Sequence, residues 1–386
     1  MRFPVIPLLL ALAAAPANAA DPTVQTPADA WRQDAAEYAR AFGVALDEAE
    51  RRLRLQEASV AVTERLRVQY APRLAGMAID HQPDWGITVL LTGAEQPASF
   101  VEDGVPVRFQ VGAAATRLQV LDAIARHRFT IAGRVPGLRG LGHDPRTGAL
   151  LVLPRDEMPG LAEELTALTG VPVLVRAFPA AMRNAAAVGG SRVEGFQDAR
   201  RYVCTTSFVV SDGSRAGITT AAHCPDQLLY RGPDGEERGL TFAGQWGFSY
   251  RDVQVNTGVG APEGRFYVDR ERSVLRPLQT WRTRPQTRAG DFVCMRGESS
   301  GYACSAIELV DFAPPGELCG GPCAASWVTA TGPACKRGDS GSPVFIGTTA
   351  VGILKGGAYR PGGECAFYYY MSVDYLPDGW RLVRAR

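Results

Sequence analysis

All eight cysteines of the chain lie between Cys204 and Cys365, and nothing before Cys204 contains one. No other feature limits the fold so strongly. Cysteines at this density staple a domain whose strands and loops must bring sulfurs together, while a cysteine-free stretch has to rely on its apolar core. The two halves of this 386-residue chain are therefore built differently. Length agrees, because a chain of this size divides into two or three units. Zinc is the rival use of cysteine. No paired Cys-x-x-Cys occurs, however, and His223 is the one histidine after His143. A metal is rejected and no cofactor is expected.

Disulfides need an oxidising compartment, and the N-terminus carries an export signal. Arg2 precedes an apolar run from Val5 to Ala15, which ends in Ala17-Asn18-Ala19. This reads as a signal peptide over residues 1–19. The run is shorter than the ~20 residues that span a bilayer, so no membrane partner is expected. The protein is expected to be secreted, extracellular or periplasmic. A formal net charge of +1 gives no reason to expect nucleic acid as a partner. Nearly all the positive charge is arginine, and Lys336 and Lys355 are the two lysines.

After the signal, residues 28–70 read as helix. Ala36, Tyr38, Ala39, Phe42, Val44, Leu46, Ala49, Leu53 and Leu55 recur at helical spacing, with Gly43 separating two helices. Residues 74–176 read as a duplicated α+β unit. In both copies a strand, a turn and a second strand lead through an intervening segment to a Gly-Val-Pro-led strand, at Gly104-Val105-Pro106 and at Gly170-Val171-Pro172. His81 and His143 stand in polar turns beside Asp80 and Asp144, which suggests solvated surface. An Ala-, Asn- and Gly-rich stretch, Ala177 to Arg192, then reads as an exposed linker open to proteolysis.

From Tyr202 onward, short β segments are split by Gly, Pro, Asp and Ser, which predicts an all-β sandwich or barrel. Tyr375 to Arg384 is amphipathic and predicts a short C-terminal helix. Three places carry chemistry. Ser340 sits in Gly338-Asp339-Ser340-Gly341, a turn whose amides at Gly338 and Ser340 can converge on one point, as an oxyanion hole requires. A serine hydroxyl needs a base, and His223, at the end of Gly217 to Ala222, is the one imidazole in its half. Asp252 heads an alternating strand and suits the acid that would fix the tautomer of His223.

These motifs, Thr220-Ala221-Ala222-His223-Cys224, Asp252 and Gly338-Asp339-Ser340-Gly341, resemble the chymotrypsin-like serine peptidases of the α-lytic protease and streptogrisin group. The resemblance covers roughly residues 185–386. It implies a mature domain of two antiparallel six-stranded β-barrels with a short C-terminal helix. Residues 20–184 would be an α+β pro-region with a helical N-terminal part, acting as folding partner and intramolecular inhibitor. It also implies catalysis by His223, Asp252 and Ser340, with Gly338 and Ser340 amides as the oxyanion hole. Disulfides Cys204–Cys224, Cys294–Cys304 and Cys335–Cys365 carry over by position, which leaves Cys319 to pair with Cys323.

The implied protein is a monomeric, secreted serine endopeptidase made as a zymogen and acting on proteins or peptides. The alternative is a catalytically silent peptide-binding protein on the same fold. Departures from the group are informative. Met295 stands where an arginine usually pairs with the acid before the nucleophile, leaving Arg296 or another cation as the expected partner of Asp339. Lys355-Gly356-Gly357 replaces a Ser-Gly-Gly strand that flanks substrate, so Lys336, Lys355, Gly356 and Gly357 are expected to bind substrate. Lys336, Arg337 and Lys355 would favour an acidic side chain there. A self-cut between Arg183 and Val188 would favour a small uncharged one, and the reading leans to the latter.

Overall fold

The computed structural model describes residues 23–179, 181–184, 191–198, 200–232, 237–259, 263–332, 335–361, 363 and 365–385. The signal peptide lies outside the described residues, as does most of the expected cleavage stretch. After the short strand Thr23–Val24 come two helices, α1 (Pro27–Phe42) and α2 (Leu46–Gln69). The Thr26 side chain caps α1 by accepting the Asp29 amide, and Gly43 ends it at φ 65°, a left-handed position that glycine fills without strain.

Strands Leu74–Asp80 and Gly86–Thr92 form a hairpin, and Val105–Ala113 returns parallel to the second of them. After helix α3 (Arg117–Arg134) the pattern recurs. Gly140–Asp144 and Ala149–Leu153 form a hairpin, and Val173–Val175 returns parallel to it. The crossover in this second unit is helix α4 (Leu161–Thr169), whereas the first unit crosses over through a segment that includes the short edge strand Phe100–Glu102. A parallel return needs a crossover connection, and a helix is the usual way to make it.

The C-terminal half is β throughout. Six antiparallel strands close into a barrel in the order Phe292–Gly297, Pro343–Ile346, Thr349–Tyr359, Cys365–Ser372, Trp327–Thr331 and Gly301–Ala313, which pairs back to Phe292–Gly297. Val293, Met295, Val328, Val344, Ile346, Val351 and Tyr370 fill its interior. Beside it, the strands between residues 192 and 257 form a five-stranded sheet, whose edge is Arg381–Leu382, and a four-stranded sheet. The pairings among the described residues leave these two sheets separate rather than closed into a second ring.

The expected C-terminal helix shrinks to one 3-10 turn, Val373–Tyr375. Pro377 cannot continue a helix, Gly379 turns at φ 88°, and Arg381–Leu382 instead pairs with Val210 and Ser211. Among the described residues no helix is long and apolar enough to cross a membrane.

The two halves share two sheets: Thr23 and Val24 pair with Val274 and Leu275 in a small one, and a larger one crosses the seam. Gly142 and Leu141 pair with Phe312 and Ala313, so the Gly140–Asp144 hairpin extends the barrel strand Gly301–Ala313. A Cβ at Gly140 would lie 2.3 Å from the Phe312 ring, which explains glycine there. Helices add buried polar contacts: Arg288 donates to Ser59 Oγ at 2.5 Å and to the Gln56 carbonyl at 2.8 Å, and Arg117 forks onto Asp311 with both bonds at 2.7 Å.

His81 and His143 belong to this seam and not to solvated turns. His81 meets the Tyr38 hydroxyl at 2.8 Å and the Gly290 carbonyl at 2.6 Å, while His143 is fully buried and meets the Ala75 carbonyl at 2.7 Å. Their turns are polar locally, but the opposite half covers them.

Candidate active site

Strand Ala216–Thr220 runs into buried Ala221 and Ala222 and then His223, and the Cys204–Cys224 disulfide ties that corner to strand Arg200–Thr205. The imidazole is thus held between two fixed points. His223 Nδ1 lies 2.9 Å from Asp252 Oδ2 and Nε2 lies 2.7 Å from Ser340 Oγ. The three residues are brought together although Ser340 stands 117 positions from His223.

Asp252 enters strand Val253–Thr257 and is 1% exposed, with its amide donating to Met371 Sδ at 3.3 Å. Burial works against its charge, but the Lys355 ammonium and His223 together hold the carboxyl below its ordinary range.

The Ser340 turn is fixed from behind. The Thr205 amide donates to the Ser340 carbonyl at 2.7 Å, and the Gly341 amide donates to the Leu354 carbonyl at 2.8 Å. Gly341 turns at φ 86°, and a Cβ there would sit 2.2 Å from the Thr205 carbonyl oxygen, so the position demands glycine. Gly338 also takes a positive φ, 112°. Among the described residues, neither the Gly338 nor the Ser340 amide is given to a protein acceptor. Both remain available to a ligand oxygen.

Among the described residues, the carboxylate before the nucleophile has no cation. Asp339 is fully buried and accepts from Ser300 Oγ at 2.5 Å, the Lys336 amide at 2.7 Å, the Ser299 amide at 3.0 Å and the Ser300 amide at 3.3 Å. Burial nonetheless lifts its carboxyl above the ordinary range, against the pull of those donors. Arg296 does not reach it. That guanidinium donates to the Asp269 carbonyl at 2.9 Å and the Arg270 carbonyl at 2.8 Å, and pairs with Glu298 at 3.3 Å. Hydroxyl and amide donors replace the expected ion pair. Gly297 makes room for them, since a Cβ there would lie 2.1 Å from Asp339 Oδ1. Sequence reasoning passed over Ser299, Ser300 and Gly297, although a Gly-Glu-Ser-Ser turn beside a disulfide hairpin is a ready source of such donors.

Lys355 also differs from expectation. Its side chain is 2% exposed and turns under the site, with Nζ 3.3 Å from Asp252 Oδ1 and 5.4 Å from the Trp327 ring centroid. Its carbonyl oxygen lies 3.5 Å from Ser340 Oγ. Lys336 and Arg337 are exposed. The expected cluster of three positive charges therefore loses the one that Asp252 neutralises. Gly356 and Gly357 pair with Asn184 and Arg183 of strand Ala181–Asn184, which lies antiparallel along the edge of Thr349–Tyr359. A Cβ at Gly357 would press within 2.7 Å of Cys365 Sγ. The four disulfides join Cys204 to Cys224, Cys294 to Cys304, Cys319 to Cys323 and Cys335 to Cys365. The last fastens the start of the Ser340 turn to the barrel.

No protein-family model matches the chain, and no curated protein matches it. Solved structures do show similarity. The Nocardiopsis protease shares 20% identity over 51% of this chain and 98% of its own, at a TM-score of 0.41. The Cellulomonas bogoriensis chymotrypsin shares 21% over 51% of this chain and 98% of its own, at 0.39. A glutamic-acid-specific serine protease shares 19% over 48% of this chain and 94% of its own, also at 0.39.

Proposed function

We propose that the chain is the precursor of a secreted serine endopeptidase. The observation that carries this reading is the unbroken hydrogen-bonded line from Asp252 through His223 to Ser340, at 2.9 and 2.7 Å, beside two uncommitted amides. A silent peptide-binding protein would have no use for that line.

In this reading each residue of the line has a step. Ser340 Oγ attacks the scissile carbonyl while His223 Nε2 takes its proton. Asp252 keeps the proton of His223 on Nδ1 and stabilises the imidazolium as it forms. The Gly338 and Ser340 amides receive the developing oxyanion. His223 then gives its proton to the leaving amine, an acyl-enzyme remains on Ser340, and water repeats the sequence to release the acid. His223 must be neutral to act as the base.

Residues 20–184 act in this reading as a pro-region that assists folding and blocks the site. Support comes from strand Ala181–Asn184, which pairs with the barrel edge as an extended peptide would. Asn184 stands opposite Gly356, one position short of Lys355, whose carbonyl approaches Ser340 Oγ. The register therefore favours hydrolysis after Ala185, and with it a small uncharged residue on the acyl side of substrates. N-terminal sequencing of the mature protein reads the cut directly, and Ala186 is the expected first residue.

The catalytic reading is tested with a fluorophosphonate probe on the processed enzyme. It should label the native serine, whereas labelling that persists in Ser340→Ala would sink the assignment.

A further inference from the structure

Burying an ammonium is costly, and a lysine placed out of water normally has a partner that explains it. Lys355 is the buried one of the chain's two lysines, and its partner is the carboxylate that also holds His223. The two oxygens of Asp252 are divided: Oδ2 faces His223 Nδ1 at 2.9 Å and Oδ1 faces Lys355 Nζ at 3.3 Å. The stem of Lys355 belongs to strand Thr349–Tyr359, whose backbone at the same residue approaches Ser340 Oγ. One residue thus touches the site twice, with its carbonyl on the nucleophile side and its charge on the acid side.

We propose that Lys355 is a positioning residue that sets the working pH of the site. Its ammonium offsets part of the Asp252 charge, so the imidazolium of His223 is less stabilised and the neutral base persists to lower pH. The part of this claim that concerns catalysis rests on the proposed peptidase reading.

The surroundings leave few other groups to do this. Asp252 is faced by His223, by Lys355 and by the buried Tyr369 hydroxyl, which has no hydrogen-bond partner among the described residues. The neighbouring Arg251 turns outward, pairing with Asp378 at 3.3 Å and lying over the Tyr250 ring. His223 faces Ser340 on its other side. A role in substrate selection does not fit, because the Lys355 side chain is 2% exposed and packs against the Trp327 ring. Burial pulls the Lys355 ammonium towards neutrality and Asp252 pulls the other way.

Two measurements test the proposal. In full-length Ser340→Ala protein labelled at lysine nitrogen, two side-chain signals are expected, and Lys336→Arg assigns them. Lys355 should be charged at pH 7, and its signal should shift when His223 titrates. A neutral amine, or a signal blind to the imidazole, overturns the proposal without any change at residue 355.

The second measurement is the pH profile of kcat/KM for processed Lys355→Met and Lys355→Arg enzymes. Lys355→Met should move the acid limb upward by about one pH unit, a roughly tenfold loss on that limb, with KM within about twofold. Lys355→Arg should restore most of the shift. An unmoved limb in folded Lys355→Met enzyme overturns the proposal, and if that variant does not fold, the lysine signal decides. If native protein proves inactive while the lysine signal follows His223, the peptidase reading fails and the coupling stands.

Discussion

Asp34 of helix α1 receives the buried Arg276 guanidinium of the C-terminal half at 2.9 Å. The same carboxylate accepts the Gly347 amide at 2.6 Å and the Tyr302 hydroxyl at 2.5 Å. One acid from the first helix thus satisfies three donors of the second half. Removing one partner of a buried pair leaves the other charge stranded, at a cost of about 3–5 kcal/mol. Asp34→Ala in full-length Ser340→Ala protein should lower stability by that order in denaturant titration. An effect below about 0.5 kcal/mol would mean that the pair is not formed.

The seam between the halves should loosen in acid. Burial pushes the His81 imidazole down to about 4, from an ordinary value of about 6.5, although the Gly290 carbonyl opposes the shift. A folded-state value below the unfolded one means that the unfolded chain binds the proton more readily. Stability is then full above about 6.5 and falls as pH drops towards about 4, by at most roughly 3 kcal/mol for this group. Buried His143 is shifted in the same direction by burial and adds to the effect. Thermal unfolding of the full-length Ser340→Ala chain between pH 7 and 4 should show this slope, and His81→Gln should flatten it.

Breaking the acid end of the line should slow turnover far more than it weakens binding. Asp252→Asn can keep the shape but loses the charge that stabilises the imidazolium, so kcat/KM should fall by about 10⁴-fold at neutral pH. Combining it with Ser340→Ala should cost little beyond Ser340→Ala alone, because the members act as a unit. Full multiplication of the two losses in steady-state kinetics would contradict a shared mechanism.

The donors around Asp339 should matter for the oxyanion turn. Ser300→Ala removes a hydroxyl donor and leaves a buried carboxylate short of a hydrogen bond, at a cost of about 1.5–3 kcal/mol. The carboxyl is already raised by burial, and losing a donor that lowers it should raise it further. Activity of Ser300→Ala should therefore fade at a higher pH than that of native enzyme as the solution is acidified. Profiles that superimpose would show that Asp339 is held adequately by the amides alone.

That His223, Asp252 and Ser340 meet could be expected because each sits in a distinctive local setting: a histidine beside a cysteine at a strand end, an acid at a strand head, and a serine in a glycine turn. What failed was whatever depends on direction and distance. A lysine near a pocket and a lysine beneath it have the same neighbours in sequence, so Lys355 could not be placed. His81 looks solvated in its own turn and is buried by Gly290, 209 positions away. Two of the Asp339 partners, Ser300 and Ser299, lie 39 and 40 positions upstream in another hairpin. Tyr375 to Arg384 has helical amphipathicity, but its final residues find Val210 and Ser211, which periodicity cannot foresee. Local chemistry was readable, and long-range pairing was not.

The larger shared sheet carries a further consequence. Phe312 and Ala313 meet Gly142 and Leu141 across the seam, so this edge of the barrel strand is covered only while the first half stays in place, whereas its other edge keeps Trp327. Departure of that half would bare a row of main-chain donors and acceptors next to the Phe312 ring, the kind of open border to which other extended chains adhere. Release would therefore create a sticky rim, and the freed domain would be safest dilute.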